Sequence, residues 1–430
     1  MEFSLRNKSF FIDGAKFLSI IWSVLFFFQS NSIYYVAYES NFKKYIYALS
    51  VVLSIGSLFL ILLYSLGRLD FFVRTFLSID FFALICLVFY WGSLTIGNPI
   101  SIVDVYTYWV LLAIFFLWNC FLKSINIENY LFIFFRKIVT VYSIISIIMW
   151  IICSILPIVG NYSQLMVNWG SIHSVPLYFH LYTQSQDPIV FLGINFVRNT
   201  GIFAEAPMYS FVLSVALLIN VFIEKKFNAV TIILILTIFT TGSTTGVLIS
   251  ILILAIHFSR RLIRSKYKKV FLPLIVFIIL LGVLISIIVT VLKFKQGSGS
   301  VSVRLDDFRA GYITWTEHPF FGSGLSNNMA IIKNMNTARW SYVGHIGNTG
   351  FSSGFMEYLA GGGLFFLIFY CIYPILGSTI IFSKDKNSKF SFSIGIFFLV
   401  LISLINNLFL FIFLLSWMWS IILFNHRVEG

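Results

Sequence analysis

Charge is what this chain lacks. Asp, Glu, Lys and Arg make up 10% of its 430 residues, against about 25% in an ordinary soluble domain. That excludes a water-soluble globular fold, and 59% hydrophobic residues in long runs point to a polytopic membrane protein. Cysteine is scarce. Cys86, Cys120, Cys153 and Cys371 lie in or beside apolar runs with no C-x-x-C spacing. Neither a disulfide framework nor a thiolate metal site is indicated, and small buried hydrophobes are the reading. There is no H-E-x-x-H, no carboxylate cluster and no P-loop, since Thr240-Thr-Gly-Ser-Thr-Thr-Gly246 lacks the G-K-[ST] of a nucleotide loop. Neither a metal nor another cofactor is expected. Internal repeats, low-complexity tracts and a soluble domain are missing. So is a small-residue cleavage site after the first apolar run, which reads as a retained helix.

What is present is apolar sequence and a basic surplus, a net charge of +13. The basic residues fall between apolar runs, as orientation in an inner membrane requires, so no nucleic-acid partner is expected. A spanning helix takes about 20 apolar residues. Spans are expected near 15–36, 45–66, 74–92, 102–122, 136–158, 206–223, 228–241, 243–258, 270–292, 355–381, 390–405 and 408–424. The fold class is an all-α polytopic membrane protein, one integral membrane domain over 1–430. Two long polar segments, 159–203 and 293–350, interrupt it.

Two stretches admit either a tight hairpin or one long tilted helix. The run 228–258 breaks only at Thr240–Gly246, and 390–425 only at Asn406 and Asn407. With the N-terminus cytoplasmic and both read as hairpins, the inner loops collect most basic residues, including the cluster from Arg260 to Lys269. Reading 228–258 as one span would put that cluster outside, against the positive-inside rule. Both termini are then cytoplasmic and both long segments periplasmic. Function is sought there, since charge at a membrane face is where recognition must lie.

The first segment ends in Arg198-Asn-Thr-Gly-Ile-Phe-Ala-Glu-Ala-Pro207. Pro207 suits the first turn of a helix, whose free amides would form an anion site. Arg198 can bind phosphate oxygens bidentately, and Gly201 lets the backbone turn back. A phosphate-bearing ligand fits; equally, Arg198 and Glu205 pair as a structural strut. In the second segment, Leu305, Phe308, Tyr312 and Trp315 fall on one helical face. That pattern predicts a short amphipathic helix in the membrane interface. Its Arg304 and Arg309 would reach a lipid-linked phosphate, or else Arg304–Asp307 and Asp306–Arg309 pair at i,i+3 on a solvated surface. His318-Pro-Phe-Phe-Gly-Ser-Gly324 reads as a turn. His345 is a candidate base or hydrogen-bond donor, with solvation as the plainer reading. Asn348, Glu357 and Gly361-Gly-Gly363 follow.

These elements, in this order, resemble the O-antigen polymerase/ligase superfamily, and within it the Wzy-type O-antigen polymerases. Arg198 to Pro207 looks like the R-x-x-G-x-F-x-E-P region, with Ala206 intervening. Thr240–Gly246 looks like its helix interruption, with Thr244 where an Arg is common. Arg304 to Gly324 resembles R-x-x-x-W followed by P-x-x-G-x-G, with Phe308 in the Trp position. His345 to Gly363 looks like the histidine loop and an E-x-G-G-x-G helix start, the usual His-Asn pair spread over His345 and Asn348. The resemblance covers about residues 193–363.

It implies a GT-C-like membrane glycosyltransferase, independent of nucleotide sugars and divalent metal. The donor and acceptor would be undecaprenyl-diphosphate-linked oligosaccharides, and membrane lipid and a chain-length co-polymerase would be partners. Arg198, Arg304 and, more weakly, Arg309 would bind the diphosphate, and His345 or Glu205 would act as base. A bias to Phe, Ile, Lys and Asn favours a polymerase over a ligase acting on lipid A core. A flippase for lipid-linked sugars is a different class; it needs charge along a path between leaflets, for which Asp80 and Asp104 are the main candidates.

Overall fold

The structure, a computed structural model, describes residues 2–424 apart from 265–299, 382–385, 347–349 and positions 67, 99–100, 157, 159, 161, 170, 187, 192–193, 340, 343–344, 352 and 404. It is mostly helical with little sheet. The helices are α1 (Glu2–Gln29), α2 (Phe42–Ser65), α3 (Leu69–Thr95), α4 (Ile102–Ser124), α5 (Tyr130–Ile155), α6 (Ala206–Ile223), α7 (Ala229–Thr240), α8 (Thr244–Arg264), α9 (Ser300–Glu317), α10 (Asn328–Ile332), α11 (Gly354–Ser378), α12 (Lys386–Ile402) and α13 (Phe409–Leu423). Among the described residues, seven helices are long and apolar enough to cross a membrane, and four shorter apolar ones accompany them. The chain is a multi-pass membrane protein. The expected span 270–292 lies outside the described residues.

Both doubtful runs are hairpins. Thr240 and Thr241 turn their hydroxyls back onto the Thr237 and Ile238 carbonyls, satisfying acceptors that a helix end leaves open. Gly242, at φ +57°, then takes the left-handed conformation that glycine adopts without cost, and α8 begins. Asn406 and Asn407 fall between α12 and α13, where Asn406 Nδ2 donates across to the Gly354 carbonyl at 2.8 Å. In α6 and α13 almost every residue is buried, as expected of helices apolar all round. By contrast, α3 turns Leu77, Leu84, Leu87 and Trp91 outward.

Hydrogen bonds gather the polar connections at one end of this bundle. Ala204 N–H donates to the Asn31 carbonyl and Asn199 N–H to that of Thr240. Gln29 bridges to the Asn407 carbonyl and the Phe409 amide, and Asn98 reaches the Gly322 carbonyl.

The first long polar segment is more than a connection. It folds as β1 (Ser163–Trp169), β2 (Ser171–Tyr178) and β3 (Tyr182–Thr183), an antiparallel sheet in order β1-β2-β3, then a hairpin of β4 (Ile189–Phe191) and β5 (Ile194–Phe196). The β1–β2 register runs from Ser163 opposite Leu177 to Trp169 opposite Ser171. Val167, Val175 and Leu177 point into the core, while Tyr178 and Tyr182 pack on Met149, Trp150 and Ile152 of α5. Burying one face is what fixes such a register.

The amphipathic helix forms as α9, but its aromatic face is turned outward. Leu305, Phe308 and Tyr312 are exposed, whereas Asp307, Ala310 and Thr314 are wholly buried. Small residues let α9 close on α11: a Cβ at Gly311 would lie 3.1 Å from Met356 Cβ. Beyond α9, the turn 318–324 is laced to a break in α11. Ser323 and Gly324 amides donate to the Ala360 and Gly361 carbonyls, while Leu364 and Phe365 amides donate to those of Pro319 and Phe320. Gly363, at φ +68°, opens the break, and a Cβ there would come within 2.4 Å of the Phe320 backbone. A 3-10 turn at Thr337–Arg339 and a second two-stranded pair, β6 (Ser341–Tyr342) and β7 (His345–Ile346), complete the described elements.

Candidate functional site

The stretch from Arg198 to Glu205 is zipped on all sides by backbone. Asn199, fully buried, donates from Nδ2 to Thr240 Oγ1 at 3.0 Å, and its Oδ1 accepts from the Gly201 amide at 3.1 Å. Thr200 Oγ1 donates to the Thr183 carbonyl, and Thr183 N–H returns to Gly201 O. Gly201 sits at φ +58° with Tyr142 Oη only 3.0 Å from where a Cβ would be. These contacts fix Arg198, whose Nε donates to the Thr241 carbonyl at 3.0 Å. The break between α7 and α8 is thus a bed for this arginine, held at Nε, with no bond to either terminal nitrogen among the described residues.

The open helix N-terminus is not there. Ala206 N–H is taken by Gln186 Oε1 at 3.0 Å, Pro207 has no N–H, and the Met208 and Tyr209 amides go to Glu205 O. Those donors are already satisfied, so the start of α6 offers no free amide among them.

Arg198, Glu205 and Arg304 lie within electrostatic reach of one another. Burial lowers the Arg198 pKa from its ordinary value; Glu205 opposes that shift and the Arg304 cation adds to it. Burial raises the Glu205 carboxyl, against a hydrogen bond from the Trp169 side chain and the pull of both arginines. Two cations therefore share one carboxylate. Among the described residues neither arginine forms a salt bridge with it, so the Arg198–Glu205 strut is not made at contact distance.

Arg304 does not pair with Asp307 either. Asp307, wholly buried, is taken by Arg339 at 2.7 Å, which also reaches Asp306 at 3.1 Å and the Gly350 carbonyl at 2.8 Å. Arg304 is exposed and, among the described residues, has no ion-pair partner. The other i,i+3 pair is present, Arg309 to Asp306 at 3.3 Å. Arg309 is thus tied to the Arg339 cluster and not to Arg198. His345 has its backbone paired with Tyr342; its side chain lies outside the described residues, as does Asn348. Glu357 accepts from Asn406 Nδ2 at 2.6 Å. Asp104 accepts from Ser326 at the loop-bearing end, while Asp80 is exposed.

Sequence reasoning missed Trp169, Gln186, Asn199 and Arg339. Asn199 and Gln186 carry no motif signal. The strand alternation around Val167 and Val175 was available to place Trp169, and Arg339 stands out only once Asp307 is known to be buried.

Residues 229–371 match the family model described as O-antigen ligase. The match supports the O-antigen polymerase/ligase superfamily, whose members in this family are glycosyltransferase-like enzymes. It begins with α7 and takes in the Thr240–Gly246 break, Arg304, the 318–324 turn and the glycines of α11; Arg198 and Glu205 lie before it. No curated protein matches the chain.

Proposed function

We propose that this protein is an O-antigen polymerase, a glycosyltransferase that joins undecaprenyl-diphosphate-linked oligosaccharide repeat units. Its loop-bearing end would face the periplasm and both termini the cytoplasm. What supports the reading is that Arg198 and Arg304 both act electrostatically on the buried Glu205 carboxyl, with Arg304 exposed and without an ion-pair partner among the described residues. In the reaction, a sugar hydroxyl of one unit attacks the anomeric carbon of the other. The bond from that carbon to the diphosphate oxygen breaks, and undecaprenyl diphosphate leaves with the electron pair. Charge builds on the leaving group, and preorganised cations are the effective answer to it. Glu205 or His345 takes the hydroxyl proton. The excess positive charge is left for the diphosphate to cancel.

The ligase reading has one specific observation in its favour, the printed description of the matched family. Phenotype separates the two: losing a polymerase leaves one repeat on the core, losing a ligase leaves none. Transport is disfavoured, because Asp104 sits at the loop-bearing end and among the described residues no charged path joins it to the other end. Arg198→Ala and Arg304→Ala, each checked for normal membrane levels, are expected to abolish long-chain glycan on a gel. Wild-type chain length in either variant removes that arginine from the mechanism. Purified protein elongating lipid-linked repeats in liposomes without ATP or metal would settle transferase against transporter.

A further inference from the structure

Trp169, the last residue of β1, gives its side-chain N–H to the Glu205 carboxyl, a neighbour distant in sequence. The connection between α1 and α2 holds the two together. It pairs with the 202–204 stretch: Ser32 bridges to Phe203, Ile33 N–H donates to the Ile202 carbonyl at 2.8 Å, and Ala204 N–H donates to the Asn31 carbonyl at 2.9 Å. It also pairs with β1: Ala37 bridges to Val167, Tyr38 N–H donates to the Met166 carbonyl and Asn168 N–H to that of Val36, both at 2.8 Å. One backbone network therefore sets both Trp169 and Glu205. Side chains alternate along β1. Leu165, Val167 and Trp169 share the face turned to the core, while Met166 and Asn168 on the other are exposed. Val167 is buried, but Trp169, one step nearer the hairpin tip, stays partly exposed. Trp150 and Trp315, near the same loops, pack their rings on Phe196 and Tyr312 and give their N–H groups to the Val197 and Pro319 carbonyls. Among the described residues Trp169 has no aromatic partner, and its N–H goes to a carboxyl on which two arginines also act.

We infer that Trp169 is a specificity-determining residue of the transfer, its ring the platform on which one sugar of the repeat unit stacks beside Glu205. A pyranose turns apolar C–H bonds to one face and carries its hydroxyls at the rim. A flat ring whose polar atom is already bonded answers the face, and the carboxyl at its edge answers a hydroxyl. The hydrogen bond to Glu205 holds the ring before any ligand arrives, which lowers the entropy lost on binding. Because the same carboxyl lies within electrostatic reach of Arg198 and Arg304, a sugar on this ring sits next to the proposed diphosphate site. The inference rests on the proposed function for the chemistry of the substrate, and on the placement of Trp169 for the residue that reads it.

The test is equilibrium dialysis of the repeat-unit oligosaccharide, cleaved from its lipid by mild acid, against the purified full chain in nanodiscs. Trp169→Leu keeps apolar bulk and loses the flat ring; it is expected to weaken binding about tenfold, near the upper worth of one aromatic contact. Trp169→Phe keeps a flat ring without the N–H and is expected to stay within about threefold of wild type. Ile172→Ala, exposed on the opposite face of the same hairpin, leaves binding unchanged. Undecaprenyl diphosphate, which carries no sugar, is expected to bind all three variants as it binds wild type. The same order is expected in KM for the lipid-linked repeat unit, a second reading of the contact where the free oligosaccharide binds weakly. Equal losses in Trp169→Leu and Trp169→Phe would make Trp169 a prop for Glu205 and overturn the inference. So would wild-type binding and KM in Trp169→Leu, or a parallel loss of undecaprenyl diphosphate. Oligosaccharide held through Trp169 by a protein that fails to elongate repeats overturns the proposed function and keeps the sugar platform; elongation indifferent to Trp169 does the reverse.

Discussion

Two groups of charge at the same end of the bundle are built on opposite terms. Around Arg339, which is 7% exposed, two carboxylates and a carbonyl converge at contact distance. Around Glu205, two guanidinium groups act on one carboxylate and, among the described residues, none touches it. The buried pair Arg136–Glu224, at 2.6 Å with Lys226 alongside, follows the Arg339 pattern. Uncompensated charge is expensive to bury, so a fold closes such a cluster unless a ligand is to close it. The closed clusters therefore read as framework; under the proposed function the open one is left for a ligand to close.

The strongest way to break that contrast is to keep charge and remove geometry. Arg198→Lys and Arg304→Lys preserve the cation but lose the planar fork that grips a phosphate. Each is expected to slow elongation by about 100-fold, the scale for losing one preorganised donor to developing charge. Near-normal rates in liposomes would show that a point charge suffices and that bidentate binding is not used.

The closed cluster should answer in stability. Arg339→Ala leaves Asp307, wholly buried, without its cation. Breaking a buried pair in this way costs about 3–5 kcal/mol, read as a lower melting point in detergent, with elongation lost only in proportion to the folded fraction. Asp306 gives the matching pH test. Burial works against its ionisation, but the Asn336 amide and Arg339 outweigh that and hold its pKa below 3.8. Its contribution is therefore complete above that value and lost as pH falls through the folded pKa. Arg339→Ala is expected to flatten this acid limb; an unchanged limb would mean that the pairing does not stabilise the segment.

A smaller effect without any change of charge comes from the laced glycines. Gly363→Ala puts a side chain at positive φ and against the Phe320 backbone, costing about 1–3 kcal/mol. Because the 318–324 turn hangs on that break, the end of α9 should shift with it. A melting point equal to wild type would show that the turn and the break are not held together as described.

How much of this the sequence disclosed depends on what kind of signal each part leaves. Apolar runs report spans directly, and the breaks at Gly242 and Asn406 were visible as polar punctuation in grease. Arg198 and Arg304 stood out because charge is rare. The facing of α9 did not show, because periodicity gives a stripe but not which side is buried: Ala310, Gly311 and Thr314 won the inner face through close approach to α11. The amides of α6 looked free because Gln186, 20 positions upstream, satisfies one of them through a fold that local sequence cannot reveal.

The finest discrimination concerns Glu205 itself. As a base it must be ionised, and burial has raised its pKa above 4.5. Elongation is then expected to climb with pH through that raised value, a limb missing from Glu205→Gln. Stability should run the other way. A carboxyl with a raised folded pKa stabilises most below 4.5 and loses that contribution as pH rises through the folded value. Glu205→Gln, which imitates the protonated form, is therefore expected to melt no lower than wild type at neutral pH. If Glu205 serves only to hold the arginines apart and in place, the same variant keeps the pH limb and weakens donor binding instead. A rate-against-pH profile measured at saturating donor distinguishes the two, because tighter or looser binding no longer contributes there.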